Sequence, residues 1–356
     1  MMRRYRIITG FTIAIAAVAW AQQSTQPLIR SQVNVITVPT IVLDKEGRYV
    51  NDLKPTNFLV YDNDKRQDVR VEETFAPLSV VVAVQANAKA EGVLPKIQKV
   101  GTVLQNLLAG DNGEVALLAF DHRMNVLQDF TNDATKLQDA LKKLKPGGSS
   151  NAITDAITTA SRMLRSRPKD RRRVILLISE SKESGSEGRV REALSTVEVD
   201  NVLVYALNMS RLFNELTAKP AYPRPDPIPA GARHVPAGGV IAPTAIAQAT
   251  GTQGYGVDFV PLLTEIFRGV KSIFVDNPVE VYTKYSGGKE VAFVTQRDLE
   301  SAIAEIGREL HNQYLITYSP SNRLDGGYHK IQVQIASRPD LQVRSRPGYW
   351  LAAVPQ

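Results

Sequence analysis

Polar residues follow two apolar segments of the chain, at the places where buried strands would end. Gln85, Asn87 and Lys89 alternate with alanines directly after the segment SVVVAV, and Glu180 follows the segment VILLIS. If both segments are parallel strands of one sheet, their carboxyl ends meet at the edge where open α/β sheets bind ligands. These side chains offer amide oxygens, one carboxylate and one ammonium to an ion or a polar partner.

A glycine-rich loop supplies two further candidate residues. The loop Gly147–Ser150 precedes a predicted helix that begins near Asn151, and a helix N-terminus can hold an anion. A phosphate-binding loop would continue with Lys and Ser or Thr, and this one does not, so a plain loop is the favoured interpretation. We call the whole predicted set the rim; it consists of Gln85, Asn87, Lys89, Ser150, Asn151 and Glu180.

Patterns that would indicate an enzyme are weak. The four histidines include no pair with the i, i+4 spacing of a helical zinc site. Neither a Gly-x-Ser-x-Gly elbow nor a Walker-type phosphate loop occurs. A Ser-His-Asp arrangement needs no proximity in sequence, so a cell-envelope hydrolase with an unrecognised site stays an alternative that a screen of peptide, ester and glycan substrates would test. The sequence favours a protein that is not an enzyme.

Buried strands alternate with helices in the middle of the chain. The segments SVVVAV, VILLI and VLVYAL are typical of strands that are covered on both faces. Apolar residues with helical spacing lie between them, as in Ile153, Ile157 and Leu164. This alternation favours a doubly wound α/β domain with a mostly parallel sheet.

Both ends of the chain have the alternating pattern of half-buried strands. It runs through residues 30–75 and returns in residues 313–350, for example in His329–Ala336. The two segments supply about seven strands, the number that an immunoglobulin-like sandwich needs. We predict that they pair in one small β-sandwich-like module, with the α/β domain, residues 77–312, inserted between them.

Two other segments are set apart by composition. Residues 1–21 combine a basic start, a short apolar run and a small-x-small end, as a secretory signal peptide does. The apolar run is shorter than the roughly 20 residues that span a bilayer, and an uncleaved anchor is the alternative. Residues 208–256 are rich in proline and glycine. They are predicted to form a surface excursion or a disordered segment.

Charge and cysteine content exclude several classes of protein. The net charge of +7 includes three arginines of the signal peptide, so the remaining chain carries about +4 (7 minus 3). This value is no signature of nucleic-acid binding. The basic run Arg171–Arg173 is interpreted as a solvated loop or helix end. The absence of cysteine excludes disulfides, thiolate metal sites and cysteine nucleophiles.

Short motifs at both ends of the chain carry a resemblance to a known family. They are Asp44-x-x-Gly47, Phe58, Val60-Tyr61, Ser286-Gly287-Gly288, Gln313-Tyr314, Tyr318-Ser319-Pro320 and Arg346-Pro347-Gly348-Tyr349. In this order and spacing, the sequence resembles proteins with a von Willebrand factor type A domain. It is most similar to a secreted bacterial family that is abundant in acidobacteria. The resemblance covers nearly the whole chain after the signal peptide.

The resemblance implies a metal site whose ligands are mostly replaced in this chain. Type A domains commonly bind Mg²⁺ through Asp-x-Ser-x-Ser after the first strand, a Thr before a helix and an Asp after the fourth strand. Here Gln85, Asn87 and Lys89 occupy the first motif, Asn151 the Thr position (or Ser150 after a shift of one residue), and Glu180 the Asp position. One carboxylate beside an ammonium does not suit a hard divalent cation. We expect no cofactor, with weak residual Mg²⁺ or Ca²⁺ binding left open.

The resemblance and the weak catalytic patterns together favour an exported adhesion-type module. We expect it to bind a protein partner of unknown identity at the rim; because the metal ligands are mostly replaced, the Pro/Gly-rich segment and the β-sandwich-like module are alternative contact surfaces. We expect the protein to be secreted or periplasmic, with no nucleic-acid ligand and no stable membrane insertion after signal cleavage. Lys89 has two interpretations, an ammonium paired with Glu180 at the metal position or an ordinary solvated lysine. A structural envelope protein without a specific ligand is a further alternative, which uniform tolerance to rim substitutions would favour.

Overall fold

The computed structural model describes residues 35–73, 76–110, 112–210, 212, 277–321, 327–336 and 338–351. The predicted signal peptide, residues 1–21, and nearly all of the predicted Pro/Gly-rich excursion lie outside the described residues. Among the described residues, none of the helices combines the length and the apolar character that crossing a bilayer requires.

Fourteen strands and seven α-helices lie within the described residues. The strands are β1 (Ile36–Leu43), β2 (Phe58–Asp62), β3 (Lys65–Gln67), β4 (Val69–Glu73), β5 (Leu78–Gln85), β6 (Glu114–Phe120), β7 (Met124–Thr131), β8 (Arg172–Ser179), β9 (Val202–Asn208), β10 (Glu290–Ala292), β11 (Tyr314–Tyr318), β12 (Gly327–Ile335), β13 (Gln342–Ser345) and β14 (Gly348–Leu351). The helices are α1 (Leu94–Ile97), α2 (Gly101–Val103), α3 (Ala134–Lys142), α4 (Ile153–Arg165), α5 (Val190–Val199), α6 (Pro278–Ser286) and α7 (Gln296–His311).

The central sheet has six strands in the order β10-β9-β8-β5-β6-β7. All neighbours pair in parallel except β6 and β7, which form an antiparallel hairpin. Successive residues of β5 alternate between two apolar cores, with Val80 and Val82 on one face and Val81 and Ala83 on the other. Burial on both faces explains why these strands have continuous apolar sequences. The predicted mostly parallel α/β sheet is confirmed.

The apolar spacing that begins at Val93 does not form one continuous helix. It forms α1, α2 and a π-helical segment, Leu104–Ala109. The side-chain amide of Gln138, on α3, fills the gap between α1 and α2: it donates to the carbonyl of Gln98 at 2.5 Å and accepts from the Gly101 N–H at 3.1 Å. A distant side chain therefore satisfies backbone groups that an unbroken helix would pair internally.

The prediction that the basic run Arg171–Arg173 is solvated is wrong. Arg171 donates to the Ser79 hydroxyl at 2.8 Å, and the buried Arg172 donates to the Leu310 carbonyl at 2.6 Å. Arg173 donates to the Asp200 carbonyl at 3.1 Å. Backbone carbonyls at the start of β5 and at the ends of α5 and α7 need donors, and these guanidinium groups supply them.

Strands from both chain ends pair with each other in two antiparallel sheets of four strands. The orders are β13-β1-β11-β4 and β14-β12-β2-β3. We call these eight strands the β module. The sequence predicted about seven strands, and the structure has eight. The predicted flanking module from both chain ends is confirmed, while the exact domain boundaries, 30–75, 77–312 and 313–350, stay a prediction.

The Ser286-Gly287-Gly288 motif has a structural role at the end of α6. Gly287 adopts a φ of +92°, in the left-handed region that favours glycine. A Cβ atom on Gly288 would lie 2.0 Å from the carbonyl oxygen of Val204, in β9. The Ser286 hydroxyl accepts a hydrogen bond from the Val204 N–H at 2.9 Å. The motif therefore holds the helix end close to the sheet.

Glu309 connects the α/β domain to the β module. This buried carboxylate of α7 accepts a hydrogen bond from the Tyr205 hydroxyl at 2.6 Å, and Lys289 lies 3.0 Å away. It also forms an ion pair with Arg344, in β13. Three partners, from β9, from β13 and from the segment before β10, compensate the desolvation of one buried charge.

Candidate functional site

Gln85 and Glu180 are joined by a pair of hydrogen bonds across the ends of β5 and β8. The Gln85 side chain donates to Glu180 Oε1 at 3.0 Å and accepts from the Glu180 N–H at 2.9 Å. Gln85 is fully buried, and Glu180 is 8% exposed. Because β5 and β8 are neighbouring parallel strands, their carboxyl ends place these two residues side by side.

Lys89 forms an ion pair with the remaining oxygen of Glu180. Its Nζ contacts Glu180 Oε2, while half of the Lys89 side chain stays exposed. Residues 88–90 form a short 3₁₀ helix, and the Asn87 side chain caps it by accepting from the Ala90 N–H at 3.2 Å. This turn directs Lys89 back over the strand ends. The ammonium therefore lies against the rim carboxylate, as the first of the two interpretations requires.

The glycine-rich loop packs against the segment that follows β5. The Ala88 N–H donates to the Gly148 carbonyl at 2.8 Å, and Asn87 donates to the Ser149 carbonyl at 3.3 Å. The Asn87 side-chain oxygen also accepts from Gln85 at 3.0 Å. Gln85, Asn87, Lys89 and Glu180 thus form one hydrogen-bonded network, with Ser150 at its border.

Asn151 forms its hydrogen bonds with the loop that follows β8. Its side chain donates to the Lys182 carbonyl at 2.9 Å, and its N–H donates to the Ser184 hydroxyl at 3.1 Å. Asn151 is fully buried, and its Oδ1 atom has no hydrogen-bond partner among the described residues. Its neighbour Ser150 is half-buried.

The loop after β8 caps α4 with its own side chains. Glu183 accepts from the Thr154 N–H at 3.0 Å and from the Thr154 hydroxyl at 2.6 Å. Ser186 accepts from the Asp155 N–H at 3.2 Å. A carboxylate at this position also complements the helix dipole. The helix N-terminus behind the glycine-rich loop therefore holds a carboxylate of the protein itself.

The donor set of the rim does not fit a hard divalent cation. Every side-chain oxygen of Gln85, Asn87 and Glu180 already accepts a hydrogen bond or an ammonium. Asn151 offers one oxygen without a partner among the described residues, but a single amide oxygen does not neutralise such an ion. At an effective dielectric constant near 20, two like charges about 4 Å apart repel by about 4 kcal/mol, so Lys89 opposes a metal at this place.

A cleft beside the rim contains residues that the sequence reasoning did not select. It has a volume of about 520 Å³ and shares Ala86 and Gly147 with the rim loops. Its charged residues are Asp121, Arg123, Lys143 and Lys145. The only signal in the sequence is the dense run of lysines before the glycine-rich loop, KKLKPGG.

Asp121 is ionised within this cleft. Burial opposes ionisation, but the Gly148 N–H donates to its Oδ2 atom at 2.7 Å and the Arg123 guanidinium lies 3.2 Å away, which holds the pKa of Asp121 well below its usual range. Three cations and one carboxylate leave the cleft with a charge of +2. Lys143 and Lys145 are exposed and have no acidic partner among the residues that the structure describes.

A family model and several solved structures match the chain. The model of the von Willebrand factor type A domain matches residues 94–182. The match includes the glycine-rich loop and Glu180, and it begins after Gln85. No curated protein matches the chain.

Among solved structures, an aerotolerance-related membrane protein from Bacteroides fragilis is 17% identical, over 65% of this chain and 99% of that one, with a TM-score of 0.39. The conserved hypothetical protein BatB from Bacteroides thetaiotaomicron is 17% identical, over 65% and 98%, with a TM-score of 0.40. A mutant of the minor pilin PilB from Streptococcus sanguinis is 11% identical, over 68% and 63%, with a TM-score of 0.40.

The family match and the strand order agree on the central domain. The matched segment runs from α1 into the loop after β8 and contains the hairpin, α3 and α4. The observed sheet is mostly parallel, with one antiparallel edge strand and helices packed on both faces. The central part of the chain is therefore a von Willebrand factor type A-like domain, matched by the family model over residues 94–182.

Proposed function

We propose that this protein is an exported, non-catalytic recognition module that binds a protein partner at the rim without a bridging metal ion. The observation that carries the proposal is the closed network of Gln85, Asn87, Lys89 and Glu180. In this network Lys89 supplies the positive charge at the position that the resemblance assigns to a metal. The signal peptide predicted from residues 1–21 supports export to the periplasm or the cell exterior.

The exposed ammonium of Lys89 favours a partner that presents a carboxylate. One face of the ammonium is held by Glu180, and the side chain remains 50% exposed. A carboxylate of the partner would then meet a cation that is already in place, and the hydrogen bonds of Gln85 fix the position of Glu180 beneath it. Charge-assisted hydrogen bonds of this kind are among the stronger polar contacts at interfaces.

The described histidines support a non-catalytic function. His329 is fully buried against Asp62, so a substrate cannot reach it. His311 directs its Nδ1 atom to the Gly307 carbonyl at 2.6 Å, within its own helix. His122 lies 3.4 Å from Asp121, but that carboxylate is held by Gly148 and Arg123. None of these arrangements aligns a nucleophile with a base.

Photocrosslinking tests the proposal. A benzoylphenylalanine placed at Ser150, on the rim, should crosslink one defined protein from the envelope fraction of the source cells. The same group at Val199, 73% exposed at the far end of α5, should not. The yield at Ser150 should be unchanged by a metal chelator and fall about tenfold with Lys89→Met, since about 1.4 kcal/mol corresponds to a factor of ten.

The matched control is Lys136→Met, which removes an exposed lysine from α3 and should leave the yield unchanged. Both variants should keep the unfolding midpoint of the wild type within a few degrees. Equal crosslinking from Ser150 and Val199, or a yield that a chelator abolishes, would overturn the proposal.

A further inference from the structure

The cleft beside the rim differs from it in charge and in lining. Its charge of +2 comes from Arg123, Lys143 and Lys145 against Asp121. Apolar side chains line the rest of it, among them Met124, Val126, Leu127 and Pro146. Its volume of about 520 Å³ lies in the range of pockets that hold small ligands or short segments of a partner.

One wall of the cleft is the edge strand of the central sheet. Met124 to Leu127 belong to β7, which pairs with β6 and with no other strand among the described residues. The pairing with β6 is regular from Met124 to Val126, and its irregularities lie toward the other end of the strand. Val126 is 51% exposed, so this part of β7 offers aliphatic surface to a ligand.

An edge strand leaves backbone N–H and C=O groups available for another strand. A peptide that adds to a sheet edge gains main-chain hydrogen bonds, and its alternate side chains point toward the same wall. Here β7 offers aliphatic surface, and the Lys143–Gly147 segment on the other side of the cleft offers two lysines with no acidic partner among the described residues. A phosphate or a sulfated sugar would use the charges but not the strand edge or Val126.

We infer that the cleft between β7 and the Lys143–Gly147 segment binds an extended, acidic peptide segment of a protein partner, which adds to the edge of β7 and places carboxylates against Lys143 and Lys145. The inference depends on the proposed function only in taking the partner to be a protein. Rim and cleft adjoin at Ala86 and Gly147, so one partner can contact both.

Fluorescence anisotropy with synthetic peptides tests the inference on the full chain. The probe is a labelled hexapeptide of alternating Glu and Val, and the reference is its counterpart of alternating Lys and Val. The acidic peptide should bind, the basic one should not, and binding should weaken as salt rises, because the Debye length falls from about 10 Å at 0.1 M to about 3 Å at 1 M.

Two matched charge reversals locate the site. Lys143→Glu with Lys145→Glu should weaken binding at least about tenfold, as expected when attractive contacts become repulsive. Lys136→Glu with Lys142→Glu changes the net charge equally, on exposed residues of α3 that do not line the cleft, and should change binding less than about twofold. Equal losses in both double variants would show non-specific attraction and overturn the assignment.

A backbone-modified peptide tests the strand addition. The same hexapeptide with N-methyl groups at alternate residues keeps its charges but loses donors, so its binding should fall at least about tenfold. Unchanged binding of this peptide, or binding of polyphosphate or heparin with the same dependence on Lys143 and Lys145 while the peptide fails to bind, would overturn the inference. Failure of the peptide with continued crosslinking from Ser150 would refute the cleft and leave the rim proposal intact.

Discussion

Replacing Asp62 by alanine should destabilise the β module by about 3–5 kcal/mol, because each buried polar group that loses its hydrogen-bond partner costs about 1–3 kcal/mol. Asp62 and His329 are both fully buried, with 2.6 Å between Asp62 Oδ1 and His329 Nδ1. The other carboxylate oxygen accepts from the Tyr318 hydroxyl at 2.9 Å and the Tyr349 hydroxyl at 2.7 Å. The substitution takes one acceptor away from three donors at once.

These four residues belong to both sheets of the β module and to both ends of the chain. Asp62 ends β2, Tyr318 ends β11, and the other two lie in β12 and β14. The network therefore opposes separation of the two sheets. Tyr318→Phe removes only one hydrogen bond and should reduce the free energy of unfolding by about 1 kcal/mol.

Urea unfolding followed by tryptophan fluorescence measures this effect. The two tryptophans are Trp20 and Trp350, so in a chain lacking residues 1–21 the signal reports β14. Asp68→Ala, an exposed aspartate between β3 and β4, is the control and should change the free energy of unfolding by less than about 0.5 kcal/mol. Equal effects of the two alanine substitutions would mean that the buried network does not hold the sheets together.

Replacing Glu198 by glutamine should remove a pH dependence of stability. Glu198, at the end of α5, is 9% exposed, and its Oε1 atom has no hydrogen-bond partner among the described residues. Burial raises the pKa of Glu198 from 4.5 to about 7, although Arg346 and the Trp350 N–H favour the ionised form. The group thus lies between α5 and the β module in a site that favours its neutral form.

The direction in which the free energy of unfolding changes with pH depends on how many protons the folded and unfolded states bind. Between pH 4.5 and about pH 7 the folded state keeps a proton that the unfolded state has released, so the free energy of unfolding falls as pH rises. The stabilisation is complete below pH 4.5 and lost above about pH 7. A shift of this size corresponds to about 3 kcal/mol, at about 1.4 kcal/mol for each pKa unit.

Unfolding free energies of wild type and Glu198→Gln at pH 4 and pH 8 test this account. The difference between the two proteins should change by about 3 kcal/mol in favour of the variant as the pH is raised. Glu192→Gln, an exposed glutamate of the same helix, should follow the wild-type profile. Parallel profiles for wild type and Glu198→Gln would show that burial does not raise this pKa.

The central sheet could be predicted because its strands are buried on both faces. Segments such as Val174–Ile178 are short and apolar throughout, which favours a strand covered on both faces. Ligands of a parallel sheet bind at the carboxyl ends of its strands. Gln85 and Glu180 could thus be placed at one edge without knowing any distance between them. The pairing of the two chain ends followed from their shared alternation.

Other features depend on contacts between distant residues. The break between α1 and α2 depends on Gln138, and the turn that brings Lys89 to Glu180 depends on the Asn87 cap. The Asp62–His329 pair joins residues 267 positions apart. Local pattern gives no sign of such contacts, because each partner alone is an ordinary polar residue.

Thermal unfolding of chelator-treated protein in Mg²⁺, Ca²⁺ and Mn²⁺ tests the central claim, that the rim network has replaced a metal ion. The wild type should show no change in midpoint. The triple variant Gln85→Asp, Asn87→Ser, Lys89→Ser restores the family's first motif and removes the ammonium. Its midpoint should rise by several degrees, because a bound ion at 100 times its dissociation constant adds about 2.7 kcal/mol. A rise in the wild type that Glu180→Ala abolishes would contradict the account.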